Sequence, residues 1–95
     1  MAKAYWIAHV TVTDPAPYAR YAEGASDAFR AFGARVLARG GPARQLEGDG
    51  HPRNVVIEFD SMADALACYH SDQYQAAKAH RADAGIAQIV IVEGA

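Results

Sequence analysis

The pattern of apolar and polar residues predicts four strands and two helical regions in the order β-α-β-β-α-β. The first strand is Ala4–Val12, whose Tyr, Trp, Ile and Val residues suit a strand with both faces covered. A helix begins at Asp14-Pro15, because aspartate is a good N-cap and proline is favoured in the first turn. Gly33 ends this helix in the position after the C-cap. Its apolar residues recur at helical spacing and are Tyr18, Tyr21, Ala22, Ala25, Ala28, Phe29 and Phe32.

A hairpin follows the first helix. Its first strand begins at Arg35–Arg39, is interrupted by Gly40-Gly41-Pro42, and resumes over Ala43–Glu47. The interruption predicts a bulge or bend, because proline cannot donate to a strand ladder. Residues 48–52 form the turn, and Arg53–Phe59 is the return strand.

The second helical region starts with the Ser-x-x-acid pattern at Ser61. A second N-cap at Ser71 predicts that the helix breaks near His70 and restarts. Gly85 ends the restarted helix, and Ile86–Val92 is the last strand.

These elements predict an α+β, ferredoxin-like protomer that forms one domain over residues 1–95, with a four-stranded antiparallel sheet. Helices on one side leave the other sheet face bare, and a face carrying Ile, Val and Trp does not stay in water. Much of the 52% hydrophobic content is alanine, which buries little area. We therefore expect a homodimer whose protomers meet through the sheet face.

Composition narrows the classes of partner. A formal net charge of −2, with arginines interspersed among acids, argues against a nucleic-acid surface. Cys68 is the only cysteine, so neither an intramolecular disulfide nor a Cys-Cys metal pattern exists. No apolar run approaches the roughly 18–20 residues needed to cross a bilayer, and no leader is visible. We expect a cytoplasmic protein without a metal site, a tightly bound cofactor or a membrane partner.

Three ionisable residues form the first candidate site, which we assign to catalysis: His9, Glu58 and Arg39. Folding the hairpin about its turn is expected to bring Arg39 close to Glu58 and Ser61. A carboxylate–imidazole pair could abstract a proton beside a carbonyl while Arg39 holds an anionic oxygen. The alternative is a structural Arg39–Glu58 ion pair, with His9 hydrogen-bonded in the core.

Tyr69, Tyr74 and Arg81 form the second candidate site, for substrate binding. Two phenols and a guanidinium near one pocket mouth could orient a planar, acidic small molecule. The alternative is that the tyrosines pack at the rim of the core while Arg81 caps a helix or pairs with an acid. Cys68 is expected to be a buried small apolar residue rather than a nucleophile, and Arg53, beside a turn, is expected to be structural.

The chain resembles a known family at residues spread along its whole length. They are Tyr5-Trp6-Ile7-Ala8, Val12-Thr13-Asp14-Pro15, Tyr18, Tyr21, Leu37-Ala38-Arg39-Gly40-Gly41, Leu46-Glu47-Gly48, Arg53, Val55-Val56-Ile57-Glu58-Phe59, Tyr69, Ser71, Tyr74 and Arg81. On these residues the chain is similar to the domain-of-unknown-function 1330 family of the dimeric α/β-barrel superfamily. It departs from the family pattern at Cys68, commonly tryptophan, and at Asp72, often proline.

This resemblance implies two ferredoxin-like protomers whose sheets close into one barrel. The superfamily includes cofactor-free monooxygenases, muconolactone isomerases, haem enzymes and regulatory ligand-binding proteins, so the fold alone selects no chemistry. The sequence favours a protein that binds, and could turn over, a small aromatic or carbonyl-containing metabolite. A non-catalytic dimeric ligand-binding or structural module is the alternative.

Overall fold

The computed structural model describes residues 2–95 and contains seven elements. They are β1 (Ala4–Val12), α1 (Pro15–Ala31), β2 (Arg35–Arg39), β3 (Arg53–Phe59), α2 (Met62–His70), α3 (Asp72–Arg81) and β4 (Gly85–Glu93). The strands form one sheet in the order β2-β3-β1-β4, and every pair of neighbours is antiparallel. The predicted α+β, ferredoxin-like fold is confirmed. In residues 2–95 no helix combines the length and apolar character that a membrane crossing requires.

Local sequence signals account for the helix boundaries. Asp14 is extended and precedes Pro15 as predicted, although the Asp14 side chain makes no capping hydrogen bond. Gly33 has φ of 70°, the left-handed conformation that glycine adopts most easily after a helix. Ser61 accepts a hydrogen bond from the Asp64 N–H at 3.1 Å.

The predicted break in the second helical region lies at Ser71. Its hydroxyl oxygen accepts a hydrogen bond from the Tyr74 N–H at 3.1 Å and donates one to the Cys68 carbonyl at 2.7 Å. One side chain therefore ends α2 and caps α3, which separates the predicted region into two helices.

Strand β1 divides the sheet into two faces by simple alternation. Ala4, Trp6, Ala8 and Val10 point toward the helices and are buried. Trp6 is 1% exposed, and its ring lies against four other aromatic rings. The centroid distances are 5.0 Å to Phe29, 6.1 Å to Phe59, 5.7 Å to Tyr69 and 4.9 Å to Tyr74. The tryptophan expected on the bare face is thus the centre of the core.

The sheet side that faces away from the helices, here called the open face, carries an apolar row across all four strands. Ala38 is paired with Val56, Val56 with Ile7, and Ile7 with Val90. Val90, on the edge strand, is 55% exposed. Such a continuous apolar row is the feature that a second protein surface would cover.

The second strand is shorter than the sequence suggests. It ends at Arg39, and the continuation predicted over Ala43–Glu47 is wrong, because residues 40–52 belong to no strand. Gly40 has φ of 66°, which turns the backbone out of the ladder. The register irregularity lies earlier, between Val36 and Ala38, so Leu37 is the extra residue of a bulge.

The hairpin register also differs from the expectation. Arg39 is opposite Val55, while Arg35 is opposite Glu58, so the predicted proximity of Arg39 to Glu58 is wrong. In an antiparallel hairpin the residues nearest the turn pair first, and the start of β2 therefore meets the end of β3.

Glu58 is held on the open face by other partners. Arg35 Nε donates to Glu58 Oε1 at 2.7 Å, and the Tyr5 hydroxyl donates to Oε2 at 3.0 Å. Arg35 also donates to Asp60 at 2.8 Å. The Arg35 hydrogen bond, followed by that of Tyr5, lowers the pKa of Glu58 below its ordinary value.

Helices α1 and α3 touch at Gly24. A methyl group at this position would lie 2.9 Å from the Cβ of Ala77, a distance that packed carbon atoms do not tolerate. Gly24 therefore sets the separation of the two helices.

Replacement of Gly24 by alanine tests this contact. In an isolated helix, replacing glycine by alanine stabilises the helix by about 1 kcal/mol. Here the clash with Ala77 should outweigh that gain and lower the free energy of unfolding by roughly 1–3 kcal/mol. Urea unfolding of Gly24→Ala, Ala77→Gly and the double variant measures the effect. The double variant should be more stable than the sum of the single changes by over about 0.5 kcal/mol, and simple additivity would contradict the close contact.

Substitution of Glu58 by glutamine tests the ion pair through pH. Because the folded-state pKa is lowered, the pair stabilises the protein above the unfolded glutamate value of about 4.3. That contribution is lost as the pH falls from there through the folded-state pKa. The difference in Tm between wild type and Glu58→Gln should therefore shrink on acidification. Glu23→Gln, at an exposed helix position, is the control, and a difference for Glu58→Gln that is constant with pH would contradict the pair.

Candidate functional site

A pocket lies between α1 and the helix-facing side of the sheet. It offers about 40 Å³ to the centres of water-sized molecules, and its total empty space, open solvent included, is about 420 Å³. By the first measure the pocket holds a few water molecules, because each needs roughly 10–15 Å³. A ring-sized molecule would have to occupy the mouth as well. The lining includes the aromatic residues Trp6, Tyr18, Tyr21 and Phe29 and the cations Arg39 and Arg53.

Two arginines reach this pocket from neighbouring strands. Arg53 shares its side of β3 with Val55, and Val55 is opposite Arg39, so the two arginines are diagonal neighbours on the helix-facing side. The guanidinium carbon of Arg53 lies 5.7 Å from the centre of the Tyr18 ring. Among residues 2–95, neither arginine belongs to an ion pair. The Nε atom of Arg53 is buried without a hydrogen-bond partner.

Behind the pocket wall is a buried network of two tyrosines and one arginine. The hydroxyl oxygens of Tyr21 and Tyr74 are 2.9 Å apart, and Arg81 Nη1 donates to Tyr74 at 3.1 Å. The Arg81 guanidinium also lies 4.7 Å from the centre of the Tyr21 ring. Burial raises the pKa of both phenols, so both are neutral at physiological pH. The network joins α1 to α3 and fixes the Tyr21 ring.

The predicted binding residues Tyr69, Tyr74 and Arg81 are therefore close together, but none of them lines the pocket between α1 and the sheet. Tyr69 instead lines a separate depression of about 380 Å³ between α2 and β4. Tyr74 is fully buried and hydrogen-bonded to Arg81. The Tyr69 ring centroid is 5.3 Å from that of Tyr74, while its hydroxyl accepts a hydrogen bond from Lys78 Nζ at 3.1 Å. They support the wall from behind, and their assignment to substrate binding stays a prediction.

The residues predicted for catalysis lie at three separate places. His9 and Glu58 share the open face, but His9 is opposite Asn54 whereas Glu58 is opposite Tyr5. Four strand positions separate them, a distance of about 13 Å. Arg39 lies on the opposite side of the sheet, in the pocket. Their joint catalytic role stays a prediction, and it would need groups that one protomer does not bring together.

Each open-face candidate already has a partner. His9 Nδ1 lies 2.6 Å from Asn54 Oδ1, and His51 Nδ1 lies 2.7 Å from Thr11 Oγ1. His9, His51 and Asn54 border a second, wider depression of about 440 Å³ beside the segment from residue 40 to 52. His9 is exposed rather than in the core, so its expected core hydrogen bond lies on the surface instead.

Cysteine and metal chemistry find little support in the described chain. Cys68 is buried, as expected, and burial raises the pKa of its thiol to about 11, so it is not a thiolate at neutral pH. Residues 2–95 bring together no group of three or more His, Cys, Asp or Glu side chains that could hold a metal ion.

Sequence reasoning missed the functional potential of Tyr18, Tyr21 and Arg53, which it assigned to core or structure. A usable signal exists for Arg53. Arg53 is two, four and six residues from Val55, Ile57 and Phe59 on the same strand. Strand alternation therefore places this arginine on the same side of the sheet as inward-facing apolar residues.

Several solved structures resemble this fold. A protein of unknown function from Rhodopseudomonas palustris superposes with a TM-score of 0.75 at 17% identity, covering 99% of this chain and 83% of that one. SnoaB, a cofactor-independent oxygenase from Streptomyces nogalater, gives 0.63 at 9% identity, with 100% and 95% covered. A dimeric ferredoxin-like protein of unknown function from Thermobifida fusca gives 0.54 at 18% identity, with 99% and 91% covered.

At these identities the likeness establishes the fold and no more. No curated protein matches this chain in sequence. The sequence profile of the family described as domain of unknown function (DUF1330) matches residues 3–95. Because that match spans nearly the whole chain, the chain belongs to the DUF1330 family.

Proposed function

We propose that this protein binds a small aromatic or carbonyl-containing metabolite in the pocket between α1 and the sheet, without a tightly bound cofactor. The observation that carries the proposal is the lining, in which four aromatic side chains face two arginines. Small-molecule sites typically combine such apolar walls with a few polar groups that fix the orientation of the ligand.

Rigid support of the aromatic wall favours binding over a merely loose core. The Tyr21 ring is held from behind by Tyr74 and Arg81, and Trp6 is held by its aromatic neighbours. Walls fixed in this way lose little conformational freedom when a ligand enters, so less of the binding free energy is spent on ordering side chains.

The proposal is limited to binding because the pocket offers no evident base. Its ionisable lining residues within residues 2–95 are tyrosines and arginines, which are not proton acceptors at neutral pH. Turnover by His9, Glu58 and Arg39 remains the other candidate function, and the separation of these residues does not favour it.

We further propose that the protein forms a homodimer through the open face. The apolar row from Ala38 to Val90 supports this, and Val90 in that row is 55% exposed. The polar residues flanking the row are already hydrogen-bonded within the protomer, so covering them costs little. A structural neighbour that is described as dimeric and ferredoxin-like fits this arrangement.

Filling the pocket should abolish ligand binding. Ala22 lines the pocket, whereas Ala19 on the same helix is exposed to solvent. In thermal-shift screens of small aromatic metabolites, a ligand at 100 times its Kd should stabilise the wild type by about 2.7 kcal/mol. Ala22→Leu should remove this gain and Ala19→Leu should retain it.

Equal responses from the two leucine variants would place the ligand elsewhere. A panel that shifts the Tm of neither wild type nor variants would contradict the binding function. Trp6 is the only tryptophan and lines the pocket, so its fluorescence provides an independent measure of occupancy.

A charge in the apolar row should dissociate the dimer. Ile7 is central in the row, so Ile7→Lys would bring two ammonium groups into a dry interface. Sedimentation equilibrium at micromolar concentration should give twice the 10.1 kDa chain mass for wild type and one chain mass for Ile7→Lys. Ala19→Lys, at an exposed position on α1, should remain dimeric. A wild type of one chain mass, or an Ile7→Lys variant that stays dimeric and folded, would contradict the interface.

A further inference from the structure

Resting on the proposed function, we infer that the ligand is an aromatic carboxylate whose anionic group lies between Arg39 and Arg53. Its ring would then lie against the aromatic lining, toward Trp6 and Tyr21.

Backbone geometry brings the two arginines together. The bulge at Leu37 reverses the alternation of β2, so that Arg35 faces the open side and Arg39 the helix side. Arg53 is the first residue of β3 and points to the same side as Val55 and Ile57, which also line the pocket. Gly40 follows Arg39, and a methyl group there would lie 2.5 Å from Arg53 Nη1. The glycine thus leaves the space that the Arg53 guanidinium occupies.

The charges of the pocket are unbalanced. Arg35 on the open face has Glu58 and Asp60 as partners. Across the described range, residues 2–95, Arg39 and Arg53 have no such acid, although both line one pocket. A buried guanidinium N–H without an acceptor is costly, and the buried Nε of Arg53 is in that position. A bound anion would supply the missing acceptors.

A carboxylate fits this arrangement better than a larger anion. Guanidinium groups bind carboxylates and phosphates alike through two parallel hydrogen bonds, so it is the small volume of the pocket that favours the smaller carboxylate. Beyond the arginines, Ser26 and the tyrosines are the polar lining residues, and the rest of the lining is apolar. A flat acid with one small anionic group matches two arginines above an aromatic floor.

A purely structural role for the two arginines is the competing explanation. Arg53 lies over the Tyr18 ring, and such a cation–π contact could by itself hold the side chain in place. The two explanations differ in one property: only an anion site distinguishes a carboxylate from its neutral amide.

Matched pairs of probes provide the test. Wild-type protein is titrated with benzoate and benzamide, and with phenylacetate and phenylacetamide, with Trp6 fluorescence and amide NMR shifts as readouts. Phenyl phosphate is a third type of probe. The variants are Arg39→Gln, Arg53→Met and the control Arg20→Gln, which removes the same charge from an exposed position on α1.

We expect wild type and Arg20→Gln to bind each carboxylate about tenfold or more tightly than its amide, as a charged hydrogen bond would give. In Arg39→Gln and in Arg53→Met that ratio should fall toward one. Arg39 is exposed, so Arg39→Gln keeps the test valid even if Arg53→Met fails to fold.

The remaining outcomes overturn the inference in distinguishable ways. If amides bind as tightly as carboxylates, and Ala22→Leu abolishes both, the pocket binds ligands but the anion site is wrong. Tighter binding of phenyl phosphate than of benzoate would exclude the carboxylate as the preferred group. If no probe changes the Trp6 emission or the NMR spectrum of wild type, the proposed function fails together with the inference.

Discussion

The packing of Trp6 against the helices is the constraint on which the rest of the structure depends. Its ring contacts residues of α1, α2, α3 and β3, so it fixes which side of β1 faces the core. Side chains along a strand alternate between the two faces of the sheet. The inward position of Trp6 therefore places the odd-numbered residues of β1 on the open face. Aromatic pairs at such distances contribute about 0.5–1.5 kcal/mol each beyond the area they bury.

The two sheet faces consequently carry different chemistry. On the open face the ionic and polar side chains satisfy one another, as Arg35, Glu58 and Tyr5 do. On the helix face, Arg39 and Arg53 meet aromatic rings instead of acids. The first arrangement suits a surface that another protein covers, and the second suits a site that accepts an anion. The proposed dimer interface and the proposed ligand site therefore lie on opposite sides of one sheet.

Much of the fold is predictable from sequence because its signals are local. Asp14-Pro15, Ser61 and Ser71 mark helix starts, and Gly33 marks a helix end, all within a few residues of the boundaries they set. The site is less predictable because it depends on one register detail. The sequence places the irregularity of β2 at Gly40-Gly41-Pro42, whereas the bulge is at Leu37, where no glycine or proline announces it. Without the bulge Arg39 would share the parity of Arg35 and face the open side, so the bulge turns Arg39 toward the pocket. Its separation from Glu58 follows instead from the antiparallel pairing, which places Arg35 opposite Glu58.

The most direct measurement is a crystal structure of the protein with benzoate. The carboxylate should lie within about 3 Å of guanidinium nitrogens of Arg39 and Arg53, on the helix side of the sheet. The ring should contact Trp6 or Tyr21. Ligand density on the open face beside His9 or Glu58, with the helix-side pocket containing only water, would contradict it.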